Sequence, residues 1–181
     1  MRNFHSFIVV LSLLFTSCVA DESSKTKDYN PEQKLEELGI QLSSPSSPVA
    51  NYVNTVKTGN LIFISGKGPL KNDGNYVLGK LGENLTLEQG YEASRLTAIN
   101  LISTLKASIG DLSKVKRIVR VTGMVNATSD FTDHPKVVNG CSDLLVEVFG
   151  DNGKHTRAAV GMNSLPLNIA VEIDMVVEVF D

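Results

Sequence analysis

The order of apolar and polar positions divides the chain into short alternating runs and longer helical periods. Residues 115–126 alternate, with Val119, Val121 and Val125 on one side, which predicts a long strand. Residues 156–162 and 169–175 also alternate, on either side of a Ser-Leu-Pro-Leu segment at 164–167, and predict a β-hairpin. If Asn163 pairs with Asn168, one face carries Thr156, Ala158, Val160 and Met162 beside Ile169, Val171, Ile173 and Met175. The other face carries Arg157, Ala159, Gly161, Ala170, Glu172 and Asp174. A slip of one residue would mix the two sets. Arg157 is then expected directly opposite Asp174 and diagonal to Glu172, within reach of long side chains. A second hairpin is predicted from residues 52–57 and 60–66 around Thr58-Gly59, with Lys57 facing Asn60 and Tyr52 facing Ser65.

Helical periods separate these runs. Thr86-Leu87-Glu88-Gln89 is a capping box, and the helix it opens places Tyr91, Ala98, Ile102, Leu105 and Ile109 on one side before Gly110. Pro135 opens another, with Val138, Cys141, Leu145 and Val148 in line, closed by Gly150. Asn30-Pro31-Glu32-Gln33 starts a short helix that stops at Gly39. The order of hairpin, turn, helix, strand, helix and hairpin predicts an α+β fold, a single mixed β-sheet with two helices packed on one face. The other face, with interleaved Gly and Ala, is a candidate oligomer surface.

The amino-terminal residues read differently. A weakly basic start, an apolar run at 7–15 broken only by Ser12, and small residues at 16–20 form an export signal too short to span a bilayer. Phe15-Thr16-Ser17-Cys18 resembles a bacterial lipobox, with Phe where Leu is usual. Cleavage before Cys18 would give a membrane-anchored lipoprotein, and cleavage after Ala20 a periplasmic or secreted protein. Residues 1–20 are thus expected as a signal peptide, 21–49 as a tether with a short helix, and 50–181 as the folded domain.

Composition narrows the chemistry. The net charge is −3, Trp is absent and there is no basic excess, so no nucleic-acid partner is expected. Cys18 and Cys141 make no disulfide framework, and Cys141 on its apolar stripe reads as a buried thiol. His134 and His155 lack partners at metal-ligand spacing and read as surface residues. No cofactor or metal is signalled. The face with Arg157 and Glu172 has two readings: a solvated face with an ordinary ion pair, or a small anion pocket with a guanidinium fork and an acid–base carboxylate.

Several stretches together resemble one family. They are Gly59-Asn60-Leu61-Ile62-Phe63-Ile64-Ser65-Gly66, Gly110-Asp111-Leu112, Val138-Asn139, Thr156-Arg157, Leu165-Pro166 and Val171-Glu172-Ile173. Across residues 50–181 the chain is similar to the reactive intermediate deaminase (Rid, YjgF-like) family, whose fold is a chorismate mutase-like trimer. The resemblance implies a homotrimer with a small carboxylate-bearing ligand in clefts between subunits. It implies hydrolysis of 2-imino or enamine acids to 2-oxo acids and ammonia, without cofactor. Arg157 would bind the carboxylate, Glu172 would position water, and Tyr52, Ser65 and Asn139 would line the site. Ala159 stands where many active members have cysteine, Lys67 stands where glutamine often follows Ser65-Gly66, and the segment at 131–139 is longer than usual. A trimer that binds a small carboxylate without turnover is therefore a second reading, and an endoribonuclease, an activity of some relatives, a third.

Overall fold

A computed structural model describes residues 30–48 and 50–180. The expected signal segment and Cys18 lie outside the described residues. Five strands form one mixed sheet in the order β1-β2-β5-β3-β4. The strands are β1 (Thr55–Thr58), β2 (Leu61–Lys67), β3 (Val115–Asn126), β4 (Thr156–Met162) and β5 (Val171–Val179). Three helices accompany them: α1 (Pro31–Glu37), α2 (Leu87–Ile109) and α3 (His134–Phe149). The α+β fold with a single mixed sheet is as the alternation and capping signals predict.

The hairpin expected from residues 156–175 is not formed. β3 lies between the two strands, parallel to β4 and antiparallel to β5. The chain leaves β3, crosses through α3 and returns as β4 in the same direction, as a parallel pair requires. The connection at 163–170 then passes over the end of β3. The Ala127 N–H donates to the Met162 carbonyl at 3.1 Å, and the Asn126 N–H to the Ala170 carbonyl at 3.0 Å. Alternation assigns the two faces of a strand but says nothing about its neighbour.

Two registers also differ. In β1–β2, Thr58 pairs with Leu61 and Thr55 with Ile64, so the turn is Gly59-Asn60, with Gly59 at φ +53°. The shift is two residues, which keeps each side chain on its face but removes the expected Tyr52–Ser65 pairing. In β3 the pairing with β5 is irregular between Ile118 and Arg120. Val119 is the extra residue there and is only half-buried, while Ile118, Val121 and Val125 enter the core.

α2 begins as expected. Thr86 Oγ1 accepts from the Gln89 N–H at 3.2 Å, and Gln89 Oε1 accepts from the Thr86 N–H at 2.8 Å. Its last turn closes at Gly110, at φ +82°. Leu101, Ile102 and Leu105 of α2 are buried with Cys141, Leu144 and Leu145 of α3 and with Ile118, Val121, Ile173, Met175 and Val177 of the sheet. Each such side chain contributes about 1.5–3 kcal/mol by leaving water. α3 packs closely on α2 at Gly140, where a Cβ would strike the Tyr91 carbonyl. Burial lifts the Cys141 thiol to about 12, so it stays protonated packing material. α1 joins this layer: Leu35 is buried in the same core, and Lys106 of α2 bonds Glu32 at 2.8 Å.

The opposite face of the sheet is bare. Phe63, Val176, Arg120 and Thr156 form one row across it, and Glu172, Met124 and Val160 another. Phe63 and Val160 are exposed there. Among the described residues no helix is long and apolar enough to cross a membrane.

Candidate functional site

Arg157 sits near the start of the edge strand β4. It pairs with Val121, which pairs with Met175, and both of those are buried beneath the helices. The Arg157 side chain is therefore on the helix side of the sheet. It reaches α3, where Nη1 donates to Asn139 Oδ1 at 2.9 Å and to Ser142 Oγ at 3.0 Å. Both protons of Nη1 are thereby engaged. The Nη2 protons and the Nε proton remain, which is a fork suited to a carboxylate. Ala159 and Gly161 lie on the same side, and the His134 ring occupies the space that a Cβ on Gly161 would need. His134 also meets Phe131 edge-on at 5.5 Å, so it is packed where the sequence suggested a surface histidine.

Glu172 is on the bare side. Its neighbours Val171 and Ile173 are fully buried, so the alternation of β5 turns Glu172 the other way. Arg157 and Glu172 consequently point to opposite faces, separated by β3. The single-face anion pocket and the Arg157–Asp174 pairing expected from the hairpin are both absent from the chain. The physical reason is the inserted strand: with β3 between them, β4 and β5 are no longer in the register that aligned their charges.

Glu172 has distinctive surroundings of its own. It is half-buried, and its carboxylate lies against Gly66, where a Cβ would collide with Oε1. Burial raises its pKa above the ordinary carboxylate value, and the neighbouring negative charge of Asp174 raises it further. β2 carries a bulge here, since Ile64 pairs with Met175 while Lys67 pairs with Ile173. Ser65 belongs to that bulge; its Oγ donates to the Val53 carbonyl at 2.6 Å and its N–H to the Asn54 carbonyl at 3.0 Å. Tyr52, next to Val53, is about half exposed.

The predicted residues thus fall into two groups. Arg157 and Asn139 are together at the β4–α3 edge. Glu172, Gly66 and Ser65 are together at the β2–β5 bulge, with Tyr52 next to the segment before β1 that Ser65 holds at Val53 and Asn54. Lys67, expected as a cation near the pocket, faces the helices; it donates to Asn54 Oδ1 and lines a small cleft with Ser43, Ser46 and Asn100. Burial lowers its pKa. Ser142 and His155 were missed. His155 is half-buried, with Nε2 3.0 Å from Ser142 Oγ and Nδ1 2.6 Å from the Gly153 carbonyl. No spacing signal joins Ser142 to His155; only the turn between α3 and β4 brings them together. Among the described residues no cluster of three or more His, Cys, Asp or Glu is placed to hold a metal ion.

Comparison with known proteins places this arrangement. The family model described as "YjgF/chorismate_mutase-like, putative endoribonuclease" matches residues 32–179. The chain belongs to the YjgF (Rid) family. Within it, this YjgF-like chain is 41% identical to Protein TCP17 of Trypanosoma cruzi over 145 residues, which is 80% of this chain and 91% of that one. Protein Atu1372 of Agrobacterium tumefaciens, described as of unknown function, is 39% identical with a TM-score of 0.78, covering 83% of this chain and 92% of its own. A "putative endoribonuclease" of Shewanella oneidensis is 34% identical with a TM-score of 0.80, covering 83% of this chain and 99% of its own. The match from residue 32 takes in α1, in keeping with the burial of Leu35.

Proposed function

We propose that the protein is a homotrimeric hydrolase of small 2-imino or enamine acids, with each site shared between two copies. The observation that carries this reading is the separation of Arg157 and Glu172 onto opposite faces. One chain offers a carboxylate fork at an edge and, elsewhere, a half-buried carboxylate with a raised pKa. The bare sheet face, with exposed Phe63 and Val160, supports burial against neighbouring copies. In this reading, Arg157 of one copy grips the substrate carboxylate, and Glu172 of the next orients a water molecule and accepts its proton. The water oxygen bonds to the imine carbon. That proton passes to nitrogen to give a carbinolamine; its hydroxyl proton then follows to the nitrogen as the carbon–oxygen double bond forms, the carbon–nitrogen bond breaks, and ammonia and a 2-oxo acid leave. Ser65 belongs to the bulge against which Glu172 lies, Tyr52 would line the same cleft, and Asn139 steadies Arg157. An export signal at residues 1–20 would place this chemistry outside the cytoplasm, as a lipoprotein at Cys18 or as a free periplasmic or secreted protein.

The test is release of 2-oxobutanoate from 2-iminobutanoate generated in situ. Wild type should accelerate it, and Arg157→Ala should lose roughly two to three orders of magnitude in kcat/KM. Equal rates with and without protein would reject turnover. Ala159, which supplies no thiol, favours a carboxylate-binding trimer as the second reading. Binding of 2-oxobutanoate without turnover would establish that reading, and RNA cleavage in a parallel assay would support the endoribonuclease instead.

The pH dependence follows from Glu172. A proton acceptor must be ionised, and burial and Asp174 both raise its pKa. The acid limb of kcat/KM should therefore lie above the ordinary carboxylate value. Asp174→Asn removes a negative neighbour and should move that limb to lower pH. A limb that stays in place in the pH–rate profile counts against Glu172 as the acceptor.

A further inference from the structure

Beyond Asn139, the Arg157 guanidinium is tied to a chain of hydrogen bonds that the proposed hydrolysis does not use. Arg157 Nη1 donates to Ser142 Oγ at 3.0 Å, Ser142 Oγ lies 3.0 Å from His155 Nε2, and His155 Nδ1 lies 2.6 Å from the Gly153 carbonyl. Donor chemistry fixes its direction. A carbonyl only accepts, so Nδ1 carries the ring proton, and in the neutral ring Nε2 is an acceptor. A guanidinium only donates, so Ser142 Oγ accepts from Arg157 and gives its own proton to Nε2. The ring is anchored by the turn at Gly150–Gly153, the hydroxyl by α3 and the guanidinium by β4.

We propose that Ser142 and His155 are positioning residues for Arg157, fixing its guanidinium against α3 so that the Nη2–Nε edge faces a ligand carboxylate, and that protonation of His155 weakens this grip. The proposal rests on the reading of Arg157 as the carboxylate fork. On protonation, Nε2 becomes a donor. Ser142 Oγ then faces donors on both sides and must turn its own proton elsewhere, with two cations against one oxygen. Arg157 is the charged group whose field reaches His155. Asp151 and Lys154, on the adjoining turn, bond to one another at 2.7 Å. Burial holds the His155 pKa below its ordinary value; the Gly153 hydrogen bond opposes this shift and the Arg157 charge adds to it. The relay is therefore intact above that lowered pKa and is lost as pH falls through it.

The experiment uses the full oligomer, 2-oxobutanoate binding by calorimetry and 2-iminobutanoate turnover. Ser142→Ala should raise both Kd and KM about tenfold, with kcat within about twofold of wild type. Wild-type affinity should hold near neutral pH and fall only as the pH drops below the ordinary histidine value of 6.5, while His155→Gln, which keeps a polar group but does not titrate, should be flat over that range. Unchanged affinity in Ser142→Ala, or a wild-type pH profile in His155→Gln, overturns the proposal. Arg157→Ala separates the two readings. If it still binds 2-oxobutanoate, the carboxylate fork itself is wrong; if it alone loses binding, only the relay is wrong. Should no variant bind, the nitrogen NMR shifts of the His155 ring decide. The expected result is an Nδ1–H tautomer whose titration moves in Ser142→Ala, and an Nε2–H tautomer or a titration indifferent to that change overturns it.

Discussion

Arg157→Ala and Glu172→Gln proteins, each inactive alone, should regain activity when unfolded together and refolded as mixed oligomers. A cleft works if its guanidinium comes from a Glu172→Gln copy and its carboxylate from an Arg157→Ala copy. With equal amounts and random assembly, about a quarter of the clefts in a cyclic trimer meet that condition. The rise is large because each parent starts very low: truncating a charge-paired arginine costs roughly two to three orders of magnitude, and losing a proton acceptor about as much. The basis is the sheet order. β3 separates β4 from β5, Arg157 points under the helices, and Glu172 points to the bare face. If one chain held the whole site, every subunit in the mixture would carry one lesion and no activity would return. Mixed oligomers that form by native mass spectrometry yet stay inactive would therefore sink the shared site.

What the sequence revealed follows from the range of the interactions involved. The capping box at Thr86 and Gln89, the stop at Gly110 and the glycine after Phe149 are local hydrogen-bonding and backbone requirements, and they stand where the residues put them. The strand at 115–126 was legible because Val121 and Val125 alternate into the interior, but its bulge was not, and Ile118 takes the buried position that strict alternation gives to Val119. The partner of β4 was not legible, because strand neighbours are chosen by long-range topology. β4 was also ambiguous in itself: Thr-Ala-Val-Met against Arg-Ala-Gly gives little contrast between faces, and the more apolar set turned out to face the bare side. Arg157, Glu172 and Asn139 were picked out through their resemblance to family motifs, and their separation in the chain needed the sheet order. His155 could not be placed by spacing, because its partners are a helix hydroxyl 13 positions earlier and a backbone carbonyl.

The crossing connection that passes over the end of β3 is tied to that strand by one buried amide. Asn126 is fully buried at the end of β3, and its Nδ2 shares two protons among three acceptors, the Gly79 carbonyl at 3.0 Å, the Asn168 Oδ1 at 2.9 Å and the Ile169 carbonyl at 3.2 Å. The two backbone carbonyls can only accept, which fixes the amide with its nitrogen toward them. The segment it holds is strained: Leu167 and Asn168 both have left-handed backbones, at φ +56° and +59°, which side chains other than glycine adopt at a cost. Asn126→Asp keeps the shape but turns acceptors toward acceptors. A buried carboxylate facing carbonyls, with two of them left unpaired, should cost roughly 3–5 kcal/mol, or a loss of roughly 10 °C in Tm for a chain of this length. The pH sign is specific. That aspartate would have a pKa raised well above its unfolded value, so its folded form takes up a proton as pH falls, and the hydroxyl then donates to one carbonyl again. The deficit should be largest at neutral pH and should shrink on acidification, measured as the Tm difference from wild type across pH. A deficit independent of pH would mean that the amide acts by packing alone, and an unchanged Tm would mean that the connection is held by its backbone hydrogen bonds.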